Sequence, residues 1–429
     1  MRIRIDNGTV VDPIQKLNAK RTVYIEDDKI IAVLEPEDLT NQPFPPDKTD
    51  HTYDAKGQMI CPGLWDMHVH FRDPGQEYKE TIETGCKAAA YGGFTDVCCM
   101  PNTDPVNDQP EFTKYMIEKA RSLGGTRVHP VAAISQASKG KSLTEMGLLL
   151  QAGACAFSDD GFPVSDSQLM RRAMEYARSF DALIISHCED MRLASNGVMN
   201  EGVVSTRLGL SGIPNASESI MVMRDIALAE LTGARLHIAH VSTAQSVEAI
   251  RIAKDKGIKV TAETAPHYFT LTDAAVIEYD TNAKMNPPLR SEKDRDAIRK
   301  GLASGVIDVI ATDHAPHNDL EKNVPFDNAP NGIIGLETSV SLSMNLVHEG
   351  VLTFSQIIEK MSVNPSKILK TPQKIIASGQ PADITIIDPQ KDYMVSVKTF
   401  QSKSRNSPFD GWPCHGKVMR TIADGKIIY

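Results

Sequence analysis

Gly63-Leu64-Trp65-Asp66-Met67-His68-Val69-His70 is an apolar, strand-forming run that closes on two histidines, and its counterparts recur along the chain. Seven further runs of the same kind lie at Thr95–Pro101, Val128–Ile134, Ala154–Asp159, Ala182–His187, Arg235–His240, Lys259–Glu263 and Ile307–Thr312. Amphipathic stretches such as Pro110–Leu123 and Ala216–Leu231 separate them. A strand buried on both faces reads as a continuous apolar run, and strand alternating with helix implies a parallel sheet with helices outside. Eight such units point to an α/β protein built on a (β/α)8 barrel, whose chemistry is expected where the strands end.

Outside these runs the pattern changes. Arg2–Ile5, Thr22–Ile25 and Ile30–Val33 read as short strands, with Asp6-Asn7-Gly8 as a turn and a Pro-rich stretch at Pro43–Pro46. The last residues resume this grammar, with Asp383–Ile387, Val418–Ile422 and Lys426–Tyr429 as strands around Asn406-Ser407-Pro408-Phe409-Asp410-Gly411-Trp412. The expectation is one small β-sandwich module built from both chain ends, residues 1–60 and 376–429, with the barrel over 61–375.

Length and composition agree with a large domain carrying a smaller one: 429 residues, 41% of them apolar. A net charge of -9, from 46 basic and 55 acidic residues spread along the chain, argues against nucleic acid or an anionic membrane as partner and for a small-molecule substrate. The seven cysteines contain no C-x-x-C pair and read as buried free thiols of a reducing cytoplasm. No apolar run approaches the ~20 residues of a membrane span, and Met1-Arg-Ile-Arg-Ile lacks the features of a signal peptide. A cytoplasmic enzyme is expected.

The 12 histidines are unevenly placed. His68 and His70 end the first run, His187 the fifth and His240 the sixth; Asp159 and Asp160 end the fourth, and Asp313 follows the eighth. Side chains alternate along a strand, so His68 and His70 share a face. Imidazole nitrogens and carboxylate oxygens on one barrel rim are the donors that zinc takes, at ~2.0–2.2 Å. One strand-end histidine is usually a hydrogen-bonded core residue, but this set together implies a metal centre. By alternation His237 lies on the face opposite His240 and is expected to pack against a helix, and Cys188 points away from His187. His51, His129, His348 and His415 read as structural. Strand register leaves open which of Asp159 and Asp160 faces the metal.

The string Pro62-Gly63-Leu64-Trp65-Asp66-Met67-His68-Val69-His70-Phe71-Arg72-Asp73-Pro74-Gly75 resembles the metal-binding signature of the amidohydrolase superfamily in its class I dihydroorotase branch. Met100-Pro101-Asn102-Thr103, Phe157-Ser158-Asp159-Asp160-Gly161, His187-Cys188-Glu189-Asp190, Lys284-Met285-Asn286-Pro287-Pro288-Leu289-Arg290 and Ala311-Thr312-Asp313-His314-Ala315-Pro316-His317 extend the resemblance over nearly the whole chain. It implies Zn2+ as cofactor, one or two ions with two favoured. His68 and His70 would hold the first with Asp313 beside it, and His187 and His240 the second. Hydantoinases and allantoinases bridge two metals with a carboxylated lysine on strand four, but no lysine lies between Lys141 and Lys254 here. The resemblance to the bacterial class I pattern gives the bridge to Asp160. It also implies that Arg72, Asn102 and His317 hold a substrate carboxylate and that Asn286 contacts a pyrimidine ring. Asn331 and Gly332 fall at a substrate-binding position where relatives often carry an aromatic or apolar residue before the glycine.

The activity implied is the reversible cyclisation of N-carbamoyl-L-aspartate to L-dihydroorotate plus water, a step of pyrimidine (UMP) synthesis, with Asp313 carrying the proton. Two rivals share the fold. A dihydropyrimidinase or allantoinase acts on rings that offer no carboxylate, which Arg72 argues against. An inactive scaffold subunit of an aspartate transcarbamoylase complex would have lost metal ligands, and every ligand position is filled here. A homodimer is the base-rate assembly, and association with an aspartate transcarbamoylase is a further expectation.

Overall fold

Each of the eight apolar runs holds one barrel strand: Leu64–Val69, Phe94–Cys99, Arg127–Ala132, Ala156–Phe157, Leu183–Ser186, Arg235–Ile238, Val260–Thr264 and Val309–Ile310. The computed structural model describes residues 1–38, 40–45 and 48–429, and Pro46 of the Pro-rich stretch lies outside them. The strands pair in chain order. His70 N donates to His314 O at 2.9 Å and Val69 bridges to His314, so the segment after the eighth strand meets the first. The sheet is thereby a (β/α)8 barrel. Trp65, Met67, Cys98, Val131, Ala156, Leu183, Ile185 and Val309 fill the interior. Leu64, Phe94, Val128, Phe157, Ile184, Leu236 and Ile310 face outward into the apolar layer under the helices. Burying a side chain of this size stabilises by roughly 1.5–3 kcal/mol, which is why both faces of these strands are apolar.

The helices begin and end on local signals. Pro110–Leu123 has proline in its first turn and stops at Gly124 in the left-handed region (φ 67). Asn215–Thr232 stops the same way at Gly233 (φ 69). Among the described residues no helix is long and apolar enough to cross a membrane.

Strands from both chain ends form the second sheet, in the order Lys426–Ile427, Pro413–Ala423, Ile384–Met394, Met59–Pro62, Arg2–Asp12, Leu17–Glu26, Lys29–Leu34, with His51–Asp54 paired to Arg2–Asp12. Met59–Pro62 and Ile384–Met394 join the two ends, antiparallel. Ile3, Ile5, Val23, Ile25, Ile60, Ile384 and Ile422 make a core separate from the barrel's. This is the expected β-sandwich module, with one correction. Asp6-Asn7-Gly8 is not a turn between strands but lies inside Arg2–Asp12, where the register slips between Ile5 and Gly8 and Asn7 takes φ 62. A left-handed residue in a continuous strand makes a bulge and leaves the ladder running on.

At the N-terminal end of the barrel, the buried Asp96 meets two cations and an imidazole: Arg127 Nη2 at 2.7 Å, Lys374 Nζ at 2.5 Å and His129 Nε2 at 2.8 Å. Arg127 also pairs with Asp383 and Asp424, tying the barrel to the C-terminal strands. Burial pushes the Asp96 carboxyl up, but Lys374, His129 and Arg127 outweigh it and hold it well below the usual carboxylate range. Its contribution to stability is therefore present above the unfolded carboxylate pKa and lost as pH falls through the folded one. Asp96→Asn leaves the buried Lys374 without its ion-pair partner and should cost about 3–5 kcal/mol, read as a lower urea midpoint. Turnover should hardly change, because Asp96 begins a strand whose far end faces the site. An unchanged midpoint would remove this cluster from the account of stability.

Candidate metal centre and substrate cleft

The strand ends deliver the site. His68 lies in the first strand and His70 just past it, where the register slips between Asp66 and Val69, and their rings stand 5.1 Å apart. Asp160, His187, His240 and Asp313 each follow the end of a strand. His240 (φ 35), Asp313 (φ 47) and Arg72 (φ 60) are all in the left-handed region, which costs non-glycine residues about 1–3 kcal/mol each. That strain sits on three residues of one site.

Asp160 is the hub. Its Oδ2 lies 3.3 Å from His68 Nε2 and 3.5 Å from His70 Nε2; its Oδ1 lies 3.2 Å from His240 Nε2 and 3.5 Å from His187 Nδ1. Asp313 Oδ1 stands 3.1 Å from His70 Nε2 and 3.5 Å from His68 Nε2. Asp159 turns away: its carboxylate accepts from Ser135 N at 2.9 Å and from the Ser135 hydroxyl. Burial pushes its carboxyl up to about 6, against the pull of Ser135. The neighbouring carboxylates thus occupy different environments, which register alone left undecided.

Behind the inward nitrogens stands a layer of acceptors. His68 Nδ1 meets Glu263 Oε1 at 2.6 Å, His70 Nδ1 meets Asn102 Oδ1 at 2.9 Å, and His187 Nε2 meets Glu189 Oε2 at 3.2 Å. Each ring thus has an acceptor on its outward nitrogen and turns its other nitrogen to the centre. Sequence reasoning missed Glu263 and Glu189 as site residues. Glu263 closes a strand run as the other site residues do, and Glu189 lies two residues past His187, so the positional signal was present.

His237 departs from expectation. It does not pack against a helix but sits buried inside the barrel, with Nδ1 2.8 Å from Thr261 Oγ1 and Nε2 3.1 Å from Glu263 Oε2. It pairs in register with Ile185, an interior residue, so strand alternation makes His237 the inward residue. His240 also faces inward because the strand stops at Ile238 and the chain turns at His240 itself.

These residues suit a metal. Burial pulls the His68 imidazole down, but Asp160, Asp313 and Glu263 together push it well above its ordinary value, so three buried carboxylates share one site short of positive charge. His68 Nε2, fully buried, has no hydrogen-bond partner. His68, Asp160 and His240 form one cluster of converging donor atoms, and His68, His70 and Asp313 another. Imidazole and carboxylate donors aimed at a common point suit a divalent cation of borderline softness.

Over this floor opens a cleft of about 430 Å³ lined by Arg72, Asn102, Glu189, Asn286, His317 and Asn331 among others. The buried Arg72 directs Nε toward Pro316 O at 3.4 Å, and no acidic side chain among the described residues forms an ion pair with it. Asn102 uses Oδ1 on His70 and keeps its amide NH2 for the cleft. Burial, then Arg72, pushes His317 down to about 2, so it is neutral, and its Nε2 donates to Asn331 O at 2.9 Å. Asn286 donates to Glu189 Oε2 at 3.0 Å. The Asn331 side chain is exposed at the rim. Gly332 is backbone packing: at φ 153, a Cβ would come within 2.6 Å of Ala315 O and 2.8 Å of His317 Cδ2. Any side chain there would displace His317.

The family described as Dihydro-orotase-like matches residues 57–246. A curated dihydroorotase from Syntrophus aciditrophicus is 52% identical over 100% of this chain and 99% of its own length. One from Desulfotalea psychrophila is 54% identical over 100% of both. Among solved structures, the L-hydantoinase (dihydropyrimidinase) from Arthrobacter aurescens aligns with a TM-score of 0.87 at 24% identity, covering 99% of this chain and 95% of that one. The last likeness is one of fold.

Proposed function

This chain belongs to the dihydroorotase family, and on that premise we propose that it works with two zinc ions held by His68, His70, His187, His240, Asp160 and Asp313. Its activity is that of a metal-dependent hydrolase of a cyclic amide, interconverting L-dihydroorotate and N-carbamoyl-L-aspartate. In the proposed arrangement His68 and His70, with Asp313, serve one ion, His187 and His240 the other, and Asp160 both. The observation that carries it is the Asp160 carboxylate, with one oxygen toward His68 and His70 and the other toward His187 and His240. Bound zinc acidifies water and polarises an amide carbonyl.

The rest is the work of the chain's own groups. Arg72 and the Asn102 amide grip the substrate carboxylate, His317 joins them by turning its N–H from Asn331 O to the carboxylate, and together they fix which face of the ring lies over the floor of the cleft. Asn286 contacts the ring, and Gly332 with the Asn331 carbonyl keeps His317 in place until the substrate carboxylate arrives. Asp313 takes a proton from the attacking water and hands it to the ring nitrogen as the C–N bond breaks. In the closing direction it takes that proton back from the ureido nitrogen and returns it to the departing water.

The proposal extends to a cytoplasmic homodimer able to associate with an aspartate transcarbamoylase, and to a division into residues 1–60 and 376–429 against 61–375. All seven cysteines are free thiols, as a reducing compartment keeps them. The test is a pair of neighbours. Asp160→Ala should lose zinc by elemental analysis and turnover together, whereas Asp159→Ala, which severs only the tie to Ser135, should keep its zinc. The reverse pattern would overturn the assignment of the shared ligand.

A further inference from the structure

A continuous chain of three side chains stands behind His68, with Glu263 and His237 buried and Thr261 half-buried. Thr261 Oγ1 lies 2.8 Å from His237 Nδ1, His237 Nε2 3.1 Å from Glu263 Oε2, and Glu263 Oε1 2.6 Å from His68 Nδ1. Register explains their meeting. His237 and Thr261 are partners on adjacent strands, and Glu263 lies two residues beyond Thr261, on the same inward face. His68 reaches this face from the first strand, past Val309 and Ala311 of the intervening eighth, whose side chains are small.

The proton positions follow from the chemistry of the groups. An ionised carboxylate only accepts, so both imidazoles present N–H to Glu263. His237 Nε2 is thus committed to Glu263, and its Nδ1 lies 2.8 Å from the Thr261 hydroxyl, which has Leu236 O at 3.4 Å as well. The chain ends at His68, whose Nε2 faces Asp160 and Asp313.

We propose that Glu263, itself held by His237, is a positioning residue that locks His68 in the tautomer and ring orientation needed to ligate metal. The inference rests on the reading of His68 as a ligand. Without Glu263 the His68 ring is free to carry its proton on either nitrogen and to rotate, and it loses the electron density that a hydrogen-bonded carboxylate lends an imidazole. Outer partners of this kind are worth roughly 10–100-fold in metal affinity.

The experiment measures Zn2+ affinity of chelator-stripped protein by competition with a chromophoric chelator, and the visible spectrum of the Co2+-loaded protein. It compares wild type with His68→Ala, Glu263→Gln, Glu263→Asp, His237→Asn and the double variant Glu263→Gln/His237→Asn. Glu263→Gln should weaken Zn2+ by roughly 10–100-fold and alter the cobalt spectrum, and Glu263→Asp should recover part of both. His237→Asn should weaken binding less, and should add nothing in the Glu263→Gln background, because it acts through Glu263. A residue that served only to pack the barrel would lower the melting temperature of the stripped protein and leave affinity and spectrum alone. If His68→Ala loses metal while Glu263→Gln binds like wild type, the positioning role is wrong and the metal reading stands. If His68→Ala binds like wild type, the metal reading fails and the positioning role fails with it.

Discussion

Asp313→Asn should lower turnover of dihydroorotate, and of N-carbamoyl-aspartate in the closing direction, by roughly 10²–10⁴-fold, the usual contribution of a positioned acid–base group. The substitution keeps the shape of the side chain and removes its ability to take up a proton. Asp313 follows the eighth strand at φ 47, its Oδ1 3.1 Å from His70 Nε2. Burial pushes its carboxyl up, but His68 and His70 outweigh burial and hold it below the usual carboxylate range. It is therefore ionised at neutral pH and ready to accept, and its base form is lost only as pH falls through that lowered pKa. An asparagine oxygen can still face the metal, so most of the zinc should remain while the rate falls in both directions. Wild-type turnover in a folded, zinc-loaded Asp313→Asn enzyme would exclude Asp313 from proton transfer. A parallel loss of zinc and rate would make it a ligand only.

How far the site could be read beforehand depended on whether a residue's role was set by its own strand or by a neighbour. The barrel was legible because strands buried on both faces must be apolar throughout, and the histidines and aspartates interrupt that rule where such strands end. His51–Asp54, a mostly exposed strand, carries no such signal and is held by pairing with Arg2–Asp12 and by Tyr53 against the β-module core. Asp159 and Asp160 are told apart by Ser135, which is 24 residues from Asp159 in sequence. His237 was misjudged because alternation was counted back from His240, where the chain has already left the strand. Glu263 was passed over because its partners, His68 and His237, come from other strands. Arg72, by contrast, was found through the string around it, and the lack of an acidic partner is a fact of the fold.

Arg72 gives the second large effect. A buried guanidinium is costly unless it is paired, and among the described residues this one has a single long hydrogen bond, to Pro316 O at 3.4 Å. Burial lowers its pKa, with Asp313 too distant to pair and acting only through its field. The missing partner is supplied by the substrate: dihydroorotate carries a carboxylate that a planar fork can hold in bidentate fashion, and dihydrouracil does not. Truncating one side of a buried, hydrogen-bonded charge pair costs about 2–5 kcal/mol, and each 1.4 kcal/mol is tenfold. Arg72→Met, which keeps the apolar stem and removes the charge, should thus reduce kcat/KM for dihydroorotate by roughly 30- to 4000-fold while the zinc content stays that of wild type. Wild type itself should reject dihydrouracil by roughly 10⁴-fold, because the unpaired guanidinium would remain buried in that complex. In Arg72→Met that discrimination should collapse, since the charge left unpaired is then the dihydroorotate carboxylate and no longer a buried guanidinium. The measurement is the ratio of kcat/KM for the two rings in both enzymes. Full efficiency on dihydroorotate in Arg72→Met would place the substrate carboxylate elsewhere in the cleft, and equal opening of both rings by wild type would remove Arg72 as the source of specificity.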